Sequence, residues 1–349
     1  MTQGSSEIVR ALAAHWDLRE SPVALVAGGL IHQSYSVPHG DVECILQRVN
    51  PIFSPRIHEN IRAVTEHLHA QGVCTFRLLS TRDGKPYADL GALGVWRLMT
   101  RVPGVTFDTC TSVAQARSAA SLVARFHSAL ADLTHDFQPL GFPFHDTATY
   151  LEELRESLVT QREHRLYAAV APLAEQIFEE MSASEPLEGV PLRVVHGDLK
   201  FNNVLFAGES GEEKQAAVSL IDLDTVSRLP LWIEMGDAWR SWCNRAGEDA
   251  AEAELDLEVF RASAEGYLAG LSIELGGAER SSLAHGLEHI SLELSARFAG
   301  DALRESYFGW DPERFATAGD HNLTRARGQL SLYRQARETR EARLRALAG

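Results

Sequence analysis

The sequence predicts an α+β protein of two lobes: a small amino-terminal lobe with an antiparallel sheet and one main helix, and a larger, mainly helical carboxy-terminal lobe. Short runs rich in apolar and β-branched residues, separated by turns with glycine and proline, fill the first part of the chain and are typical of strands. After Pro103-Gly104 apolar residues recur at helical spacing. At 349 residues the chain is long enough for two domains. We therefore expect a first lobe over residues 1–103 and a second over 104–349, with residues 98–104 as a hinge.

Five strands and one main helix are expected in the first lobe, after a short amphipathic helix over residues 5–17. The main helix lies within residues 51–71, because apolar residues recur on one stripe and Gly72 ends it. The first three strands follow one another closely and predict a meander. The strands, in order, cover residues 23–27, 31–37, 42–49, 75–80 and 95–102.

Helices dominate the second lobe except for one stretch of strands. Residues 112–130 contain few helix breakers and have apolar residues at helical spacing. Residues 150–181 indicate a long, charged amphipathic helical region with a break near Ala171-Pro172. Strands follow within residues 192–226, with a hairpin turn at 208–214, and helices joined by short loops fill the remainder.

The composition excludes several classes of protein. A formal net charge of −15 argues against nucleic acid and anionic membrane surfaces as partners. No window approaches roughly 18 consecutive apolar residues, and the first residues lack the apolar core of an export signal. The four cysteines lie far apart without a CxxC pair, which is typical of reduced cysteines. We expect a cytoplasmic protein, monomeric or homodimeric, that acts on a small molecule.

Two neighbouring segments carry the residues for a specific chemistry. Residues 192–206 read LRVVHGDLKFNNVLF, a polar loop between two apolar runs, and residues 218–226 read VSLIDLDTV. An Asp that orients a hydroxyl nucleophile, with an Asn and an Asp that hold Mg²⁺, is the minimal set for phosphoryl transfer from ATP. Asp198, Asn203 and Asp222 supply this set. Asp198 alone would suit an ordinary turn, but its coincidence with the other two residues and with both apolar runs favours the site.

In this context HGDLKFNN with LIDLD resembles the catalytic signature of the aminoglycoside phosphotransferase and choline kinase superfamily, whose members are small-molecule relatives of protein kinases. Within the superfamily the chain is most similar to the N-acetylhexosamine 1-kinase type. The resemblance covers nearly the whole chain. The stretches that carry it are GGLIHQSY (28–35), ILQRVN (45–50), ENIRAVTEHL (59–68), VVHGDLKFNNVLF (194–206), LIDLDTV (220–226), GDAWR (236–240) and HNLTRARGQLSL (321–332).

The resemblance implies a bilobal protein-kinase-like fold, with ATP in the cleft and the acceptor bound by the helical lobe. It implies an ATP- and Mg²⁺-dependent kinase that transfers the γ-phosphate to a hydroxyl, above all the anomeric hydroxyl of an N-acetylhexosamine or a related hexose. Two alternatives stay open. One is the same chemistry on an aminoglycoside, choline or homoserine acceptor, and the other is a nucleotide-binding regulator without turnover.

Position by position, the resemblance makes Asp198 the catalytic base and makes Asn203 and Asp222 the metal ligands. Asp224 is expected to be a supporting group or a sugar contact, and a solvated carboxylate at a strand end is the plainer alternative. His196 is expected to brace the loop rather than to react, as a histidine beside a catalytic Asp commonly does.

The first lobe lacks the lysine that protein kinases place on the third strand to hold the nucleotide phosphates. Its third strand reads ECILQRV at residues 43–49, and its only lysine follows an Asp-Gly turn. Arg48 is therefore the candidate phosphate-binding cation, with Glu59 on the following helix as its partner and Glu66 as the alternative partner. In the competing interpretation Gln47 points inward and Arg48 points into solvent, because strand alternation needs a register.

The remaining expected site residues rest on the resemblance. Gly28-Gly29 occupies the turn that covers the phosphates, where a missing Cβ allows close backbone approach. Residues 98–102 present backbone groups to the adenine. His32-Gln33 stands where the sugar-kinase relatives usually carry Asn-Asp, which removes a carboxylate near the acceptor. Met99 and Arg101 are expected at the nucleotide. Arg304 and Tyr307 are expected at the acceptor, although their spacing suits solvated helix faces equally well. Asp237 and Arg240 are either a buried ion pair that supports the catalytic loop or ordinary residues of a helix start.

Overall fold

An antiparallel sheet of five strands forms the first part of the protein. The strands are β1 (Ala24–Leu25), β2 (Gln33–His39), β3 (Val42–Arg48), β4 (Ala88–Asp89) and β5 (Val95–Thr100). Their spatial order is β1-β2-β3-β5-β4, and every neighbouring pair is antiparallel. The computed structural model describes residues 12–18, 24–26, 31–184, 187, 189–306 and 310–348.

The two faces of this sheet have different partners, because successive side chains of a strand point to opposite sides. On one face Cys44 and Leu46 of β3 pack with Trp16 in an apolar cluster. On the other face Gln47 of β3 lies opposite Arg97 of β5. Arg97 contacts a carboxylate of the second lobe, so this face borders the cleft between the lobes.

The first lobe differs from expectation at two places. The main helix, α1 (Ile57–Ala70), begins several residues later than residue 51, because residues 51–56 form turns. The predicted strand at 75–80 is wrong: only Leu78 forms a bridge, with Met99. This segment still bonds to β5 on either side of the bridge, from the Leu79 amide to the Leu98 carbonyl and from the Thr100 amide to the Arg77 carbonyl, but the pairing goes no further and β4 takes up Val95 and Trp96.

The second lobe is built on helices. Its first helix, α2 (Val113–Ala129), starts as the sequence predicts, because the Ser112 side chain accepts a hydrogen bond from the Gln115 amide. The predicted break near Pro172 is wrong. The chain instead breaks between α3 (Thr147–Thr160) and α4 (Tyr167–Ala183), and Pro172 lies near the start of α4. The helices that follow are α5 (Leu231–Trp242), α6 (Leu257–Gly270), α7 (Gly277–Arg304), α8 (Ala318–Glu338) and α9 (Arg340–Ala348).

Two short antiparallel pairs lie between α4 and α5 and carry the motif loops. The first pair joins β6 (Leu192–Val195) to β9 (Ser227–Pro230), and the second joins β7 (Val204–Phe206) to β8 (Ala217–Leu220). The loop with Asp198 therefore follows β6, and Asp222 follows β8. These pairs pack in one apolar core with α1, α2 and α5.

The helices α5 and α7 approach each other closely at two glycines. A Cβ atom on Gly236 would lie 2.5 Å from the Gly286 carbonyl group, and a Cβ on Gly286 would lie 2.0 Å from the Trp232 carbonyl oxygen. Side chains larger than hydrogen would force these helices apart. None of the helices in the described ranges combines the length and the apolar character that a membrane crossing requires.

Candidate active site

A buried carboxylate holds the backbone of the loop that carries Asp198. The amides of His196 and Gly197 donate to the two carboxylate oxygens of Glu234 on α5, each at 2.8 Å. Burial raises the pKa of Glu234, but the hydrogen bond and charge of His127, 3.2 Å away, outweigh it and lower that pKa. Glu234 is thus a charged acceptor for two loop amides. The sequence signal for it is a lone carboxylate in the apolar run LWIEM, which the sequence analysis missed.

The loop also requires a glycine and is joined to the segment after β8. Gly197 has φ +93°, and a Cβ there would lie 2.8 Å from the Thr225 carbonyl oxygen and 2.9 Å from Cε1 of Phe144. His196 is fully buried, its Nε2 lies 2.7 Å from the Ile221 carbonyl oxygen, and its own carbonyl accepts from the Thr225 hydroxyl at 2.8 Å. The two motif segments therefore form one rigid unit.

Asp198 is about three-quarters buried, with 23 % of its side chain exposed, and lies 3.0 Å from the ammonium of Lys200. Burial raises the pKa of Asp198, but the charge and hydrogen bond of Lys200 outweigh it, and the pKa is lowered. The Asn203 amide nitrogen donates to the Asp198 carbonyl at 2.8 Å, which leaves the Asn203 amide oxygen as an acceptor. Asp198 is therefore ionised and able to accept a proton.

Asp222 has features of a cation ligand. It lies in the left-handed region, with φ 65° and ψ 59°, a conformation that non-glycine residues rarely adopt away from functional sites. Burial and the nearby charge of Asp224 raise the pKa of Asp222, which a bound cation would counteract. The Asp222 carboxylate and the Asn203 amide oxygen are hard donors, so this pair fits Mg²⁺ or a similar divalent cation.

His32 joins the first lobe to Asp224. Its Nδ1 accepts a hydrogen bond from the Asn50 amide at 3.0 Å, so its ring hydrogen is on Nε2, which lies 2.6 Å from Oδ2 of Asp224. Ligand atoms of His32, Asp222 and Asp224 lie within 4.8 Å of one another, a spacing that could hold a metal ion. The hydrogen on Nε2 argues against His32 as a metal ligand, because that nitrogen has no free lone pair.

Asp224 is buried rather than solvated. Arg97 of β5 donates to its second oxygen. Burial raises the pKa of Asp224, but the Arg97 guanidinium and His32 outweigh it and hold that pKa well below its usual range. The Arg97–Asp224 pair joins the two lobes next to Asp222.

The register corrects the expectation for Arg48. Gln47 faces the cleft: its amide oxygen accepts from Nε of Arg97 at 2.7 Å, and its amide nitrogen donates to the Ser34 hydroxyl at 2.9 Å. Arg48 lies on the opposite face, where its Nε would be 2.9 Å from a Cβ on Gly94. The reason is alternation, since Gln47 pairs with Arg97 and the next residue must point the other way.

The expected partner of Arg48 is also elsewhere. Glu59 has 40 % of its side chain exposed and lies 3.9 Å from Arg56, one turn earlier in the same region of the chain. The prediction that Arg48 and Glu59 form a pair is therefore wrong. Arg97 is the cation on the cleft face, and its sequence signal is an arginine inside the apolar run VWRLM.

Of the other residues expected to line the site in the first lobe, some lie on the cleft face of the sheet and some do not. Met99 is partly buried and lies opposite Ile45 on the cleft face. Arg101 is exposed and lies 2.5 Å from Glu43. Gln33 is exposed and lies opposite Arg48, so it shares the outer face of the sheet rather than the cleft face.

A network of paired charges from α5, the following loop and α8 lies close to Asp198. Arg240 donates to Asp237 at 2.8 and 3.0 Å and to Glu248 at 2.7 Å. Burial raises the pKa of Glu248, but Arg240 foremost, with Lys200 and Arg325, lowers it to about 2. The charge of Arg240 also acts on Asp198. The expected Asp237–Arg240 ion pair is thus present and buried.

The network continues along the HNLTRAR segment. Arg325 donates to Asp249 at 2.7 Å, and Nε2 of His321 lies 2.7 Å from the same carboxylate. Arg304 belongs to a different group: it lies 2.9 Å from Asp301 and 3.1 Å from Glu153 of α3. Three further expected residues, Gly28, Gly29 and Tyr307, lie outside the described residues.

Comparison with protein families agrees with this geometry. Residues 22–268 match the model of the phosphotransferase enzyme family, abbreviated APH. The chain belongs to this family. Its members transfer phosphate, and the chain is accordingly a phosphotransferase, with the α+β bilobal fold that its sequence predicts.

Solved structures share the fold at low sequence identity. The amicoumacin kinase hAmiN, in complex with AMP-PNP, Ca²⁺ and amicoumacin, is 10 % identical with a TM-score of 0.60, over 98 % of this chain and 96 % of that one. An aminoglycoside phosphotransferase from Alicyclobacillus acidocaldarius is 17 % identical with a TM-score of 0.60, over 97 % and 95 %. A choline kinase from Cryptosporidium parvum is 14 % identical with a TM-score of 0.57, over 98 % of each chain.

Proposed function

We propose that this phosphotransferase uses ATP and Mg²⁺ to phosphorylate a hydroxyl of a neutral sugar, most specifically the anomeric hydroxyl of an N-acetylhexosamine or related hexose. The observation that carries the reaction is the convergence of Asp198, Asn203 and Asp222 on two loops joined through His196. The sugar acceptor is supported by the chain-long resemblance to N-acetylhexosamine 1-kinases and by the charge pairing around Asp198.

Asp198 acts as the catalytic base. Its carboxylate accepts a hydrogen bond from the acceptor hydroxyl and holds the oxygen in line with the γ-phosphorus. The new bond forms between that oxygen and the γ-phosphorus, and the bond from the γ-phosphorus to the β,γ-bridging oxygen breaks. The hydroxyl proton passes to Asp198 and then to solvent, and ADP leaves.

Asn203 and Asp222 would hold the metal through their side-chain oxygens. When bound, Mg²⁺ would neutralise phosphate charge that otherwise opposes attack. Arg97, placed by Gln47 and Asp224 on the cleft face, is the cation of the first lobe in place of a third-strand lysine. The backbone at Gly28-Gly29 is proposed to cover the phosphates, and the segment with Met99 to contact the adenine.

The charges near Asp198 favour a neutral acceptor. In the described parts of the chain, Asp224, Asp237, Glu248 and Asp249 each have a paired arginine or histidine. An acceptor ammonium would need an unpaired carboxylate to offset its desolvation. Hydroxyl groups need only donors and acceptors, which paired charges still provide.

The rival is an amine-bearing acceptor of the aminoglycoside, choline or homoserine type, and a panel of acceptors separates the two. ADP release would be measured with Mg-ATP alone and with N-acetylhexosamines, hexoses, aminoglycosides, choline, ethanolamine or homoserine. We expect the highest kcat/KM with a neutral sugar. Stimulation by an amine-bearing alcohol and by no sugar contradicts the acceptor assignment, and ATP binding without turnover under any condition favours a regulator.

A further inference from the structure

A second side chain, in addition to Glu234, holds the catalytic loop. The Nε2 atom of His145 lies 3.1 Å from the Gly197 carbonyl oxygen, and its Nδ1 lies 2.8 Å from Oε1 of Glu293 on α7. Both partners are acceptors only, so both ring nitrogens must donate, and His145 is an imidazolium. Burial lowers the pKa of His145, but Glu293 outweighs it and raises that pKa.

This histidine is itself firmly held. The other oxygen of Glu293 accepts from the Thr147 hydroxyl, and that hydroxyl lies 3.0 Å from Nε2 of His289. The side chains of His145 and Glu293 are 6 % and 1 % exposed. His145 also has φ +48°, in the left-handed region where non-glycine residues are uncommon. A strained backbone and a buried charge are costly arrangements, which suggests that the position of this imidazole matters.

His145 ends a segment that is tied to the first lobe at its other end. We call residues 138–145 the strap. The backbone amide and carbonyl of Gln138 both bond to the Asn60 side chain, at 2.8 and 2.9 Å, and the Leu140 carbonyl accepts from the Ser54 amide at 3.1 Å. Phe142 packs edge-on against Phe53, with centroids 5.3 Å apart. The strap thus runs from α1 and its preceding turn to the catalytic loop.

We propose that His145, held by Glu293 and donating from both ring nitrogens, is a positioning residue that fixes the Gly197 carbonyl and, through the strap, couples the orientation of Asp198 to the first lobe. This inference rests on the proposed kinase function. Rotation of the Gly197–Asp198 peptide would displace the Asp198 carboxylate, and small displacements of reacting groups are costly in rate. His145 does not touch the reacting atoms.

Kinetics and hydrogen exchange together test the proposal on the full chain. The variants are His145→Ala, His145→Gln and Glu293→Gln. The control is His164→Ala, because His164 also pairs with a glutamate, Glu305, at 3.4 Å, without a contact to the catalytic loop. We expect His145→Ala to lower kcat by about 10- to 100-fold with the KM for ATP changed less than about threefold. The variant His145→Gln keeps a donor for the Gly197 carbonyl, so its kcat should be about tenfold higher than that of His145→Ala.

Amide exchange of residues 196–203, followed by mass spectrometry, reports on the loop without turnover. We expect faster exchange there in His145→Ala and no change in His164→Ala. Unchanged exchange and kcat in a folded His145→Ala protein, or equal effects of His164→Ala, overturn the proposal. If His145→Ala does not fold, Glu293→Gln decides by the same two readouts. A wild-type protein that turns over no acceptor contradicts the proposed function. The difference in amide exchange between His145→Ala and His164→Ala still tests the positioning role in that case.

Discussion

At the scale of single residues, Asp198 has its charge and its position controlled by different neighbours. Lys200 lies beside the carboxylate and keeps it ionised, whereas Glu234 and Asn203 contact only the backbone on either side of it. The sequence predicted Asp198, Asn203 and Asp222, because their spacing is local to two segments. It did not predict Glu234, because the contact spans 37 residues and a carboxylate in a helix has no distinctive pattern.

Substitution of Lys200 by Met is expected to move the acidic limb of the kcat/KM profile to higher pH. The pKa of Asp198 is lowered by Lys200, so its loss raises that pKa and leaves less ionised base at acidic pH. A pH series of kcat/KM measures the shift. Lys200→Arg keeps the cation and should retain the wild-type limb; a shift of equal size in both variants would contradict the assignment.

His58 on α1 predicts a pH dependence of stability. Its pKa is lowered to about 4, chiefly by burial and then by the charge of Arg97. Nδ1 lies 2.7 Å from the Pro55 carbonyl oxygen and must donate to it, so Nε2 is the atom that stays unprotonated. Because the unfolded chain binds this proton near pH 6.5 and the folded chain does not, His58 lowers stability as pH falls from about 6.5 to about 4.

The substitution His58→Asn, which keeps a donor for the Pro55 carbonyl, should remove that dependence. Between pH 7 and pH 5 the free energy of unfolding of the wild type should fall by roughly 2 kcal/mol more than that of the variant. Urea unfolding at both pH values measures the difference. An equal fall in the free energy of unfolding of the two proteins would show that folded His58 binds a proton as readily as unfolded His58 does.

At the scale of elements, the strand register decides which residues reach the cleft. The sequence predicted β2, β3, β5 and α2 closely, because their patterns are local. It could not choose between Gln47 and Arg48, since a shift of one residue exchanges the faces of a strand. The strand expected at 75–80 is reduced to one bridge at Leu78, and the extent of pairing with β5 is a property of the sheet that the local pattern does not contain. The boundary after residue 103 stays a prediction.

The Arg97–Asp224 pair between the sheet and the segment after β8 gives a prediction at this scale. Arg97→Met leaves the buried Asp224 without its arginine and should lower the free energy of unfolding by about 3–5 kcal/mol. Arg48→Met makes the same chemical change one face away and should cost less than about 1 kcal/mol. Urea unfolding compares the two, and an equal cost would contradict the register.

At the scale of the whole molecule, the two lobes meet through specific polar contacts. Arg97 and His32 reach Asp224, and the strap reaches Gly197 at the catalytic loop. The contacts to Asp224 come from the first lobe, and the strap is a segment of the second lobe that is bonded to α1 and the turn before it. These contacts end within two residues of Asp222 or Asp198. The contacts between the lobes and the placement of the catalytic groups are therefore structurally linked. Sequence patterns predicted the lobes but not this linkage, because every contact joins residues far apart in the chain.

The acceptor is the other property that belongs to the whole molecule. The net charge of −15 taken alone would suit a cationic acceptor. Asp237, Glu248 and Asp249, three carboxylates of the network near Asp198, are each paired with an arginine, and Asp222 is assigned to the metal, so the net charge of the chain does not by itself define the acceptor site. The distribution of charge, which the composition does not contain, is what favours a neutral sugar.

The most direct test of the central claim is ³¹P NMR of the product formed from Mg-ATP and an N-acetylhexosamine by the wild type and by Asp198→Asn. We predict an anomeric sugar phosphate and ADP in equal amounts with the wild type. The variant should still bind ATP but form product at least about 100-fold more slowly, because the base is lost. A sugar phosphate formed equally fast by Asp198→Asn, or phosphorylation of an amine-bearing alcohol in place of the sugar, would contradict the account.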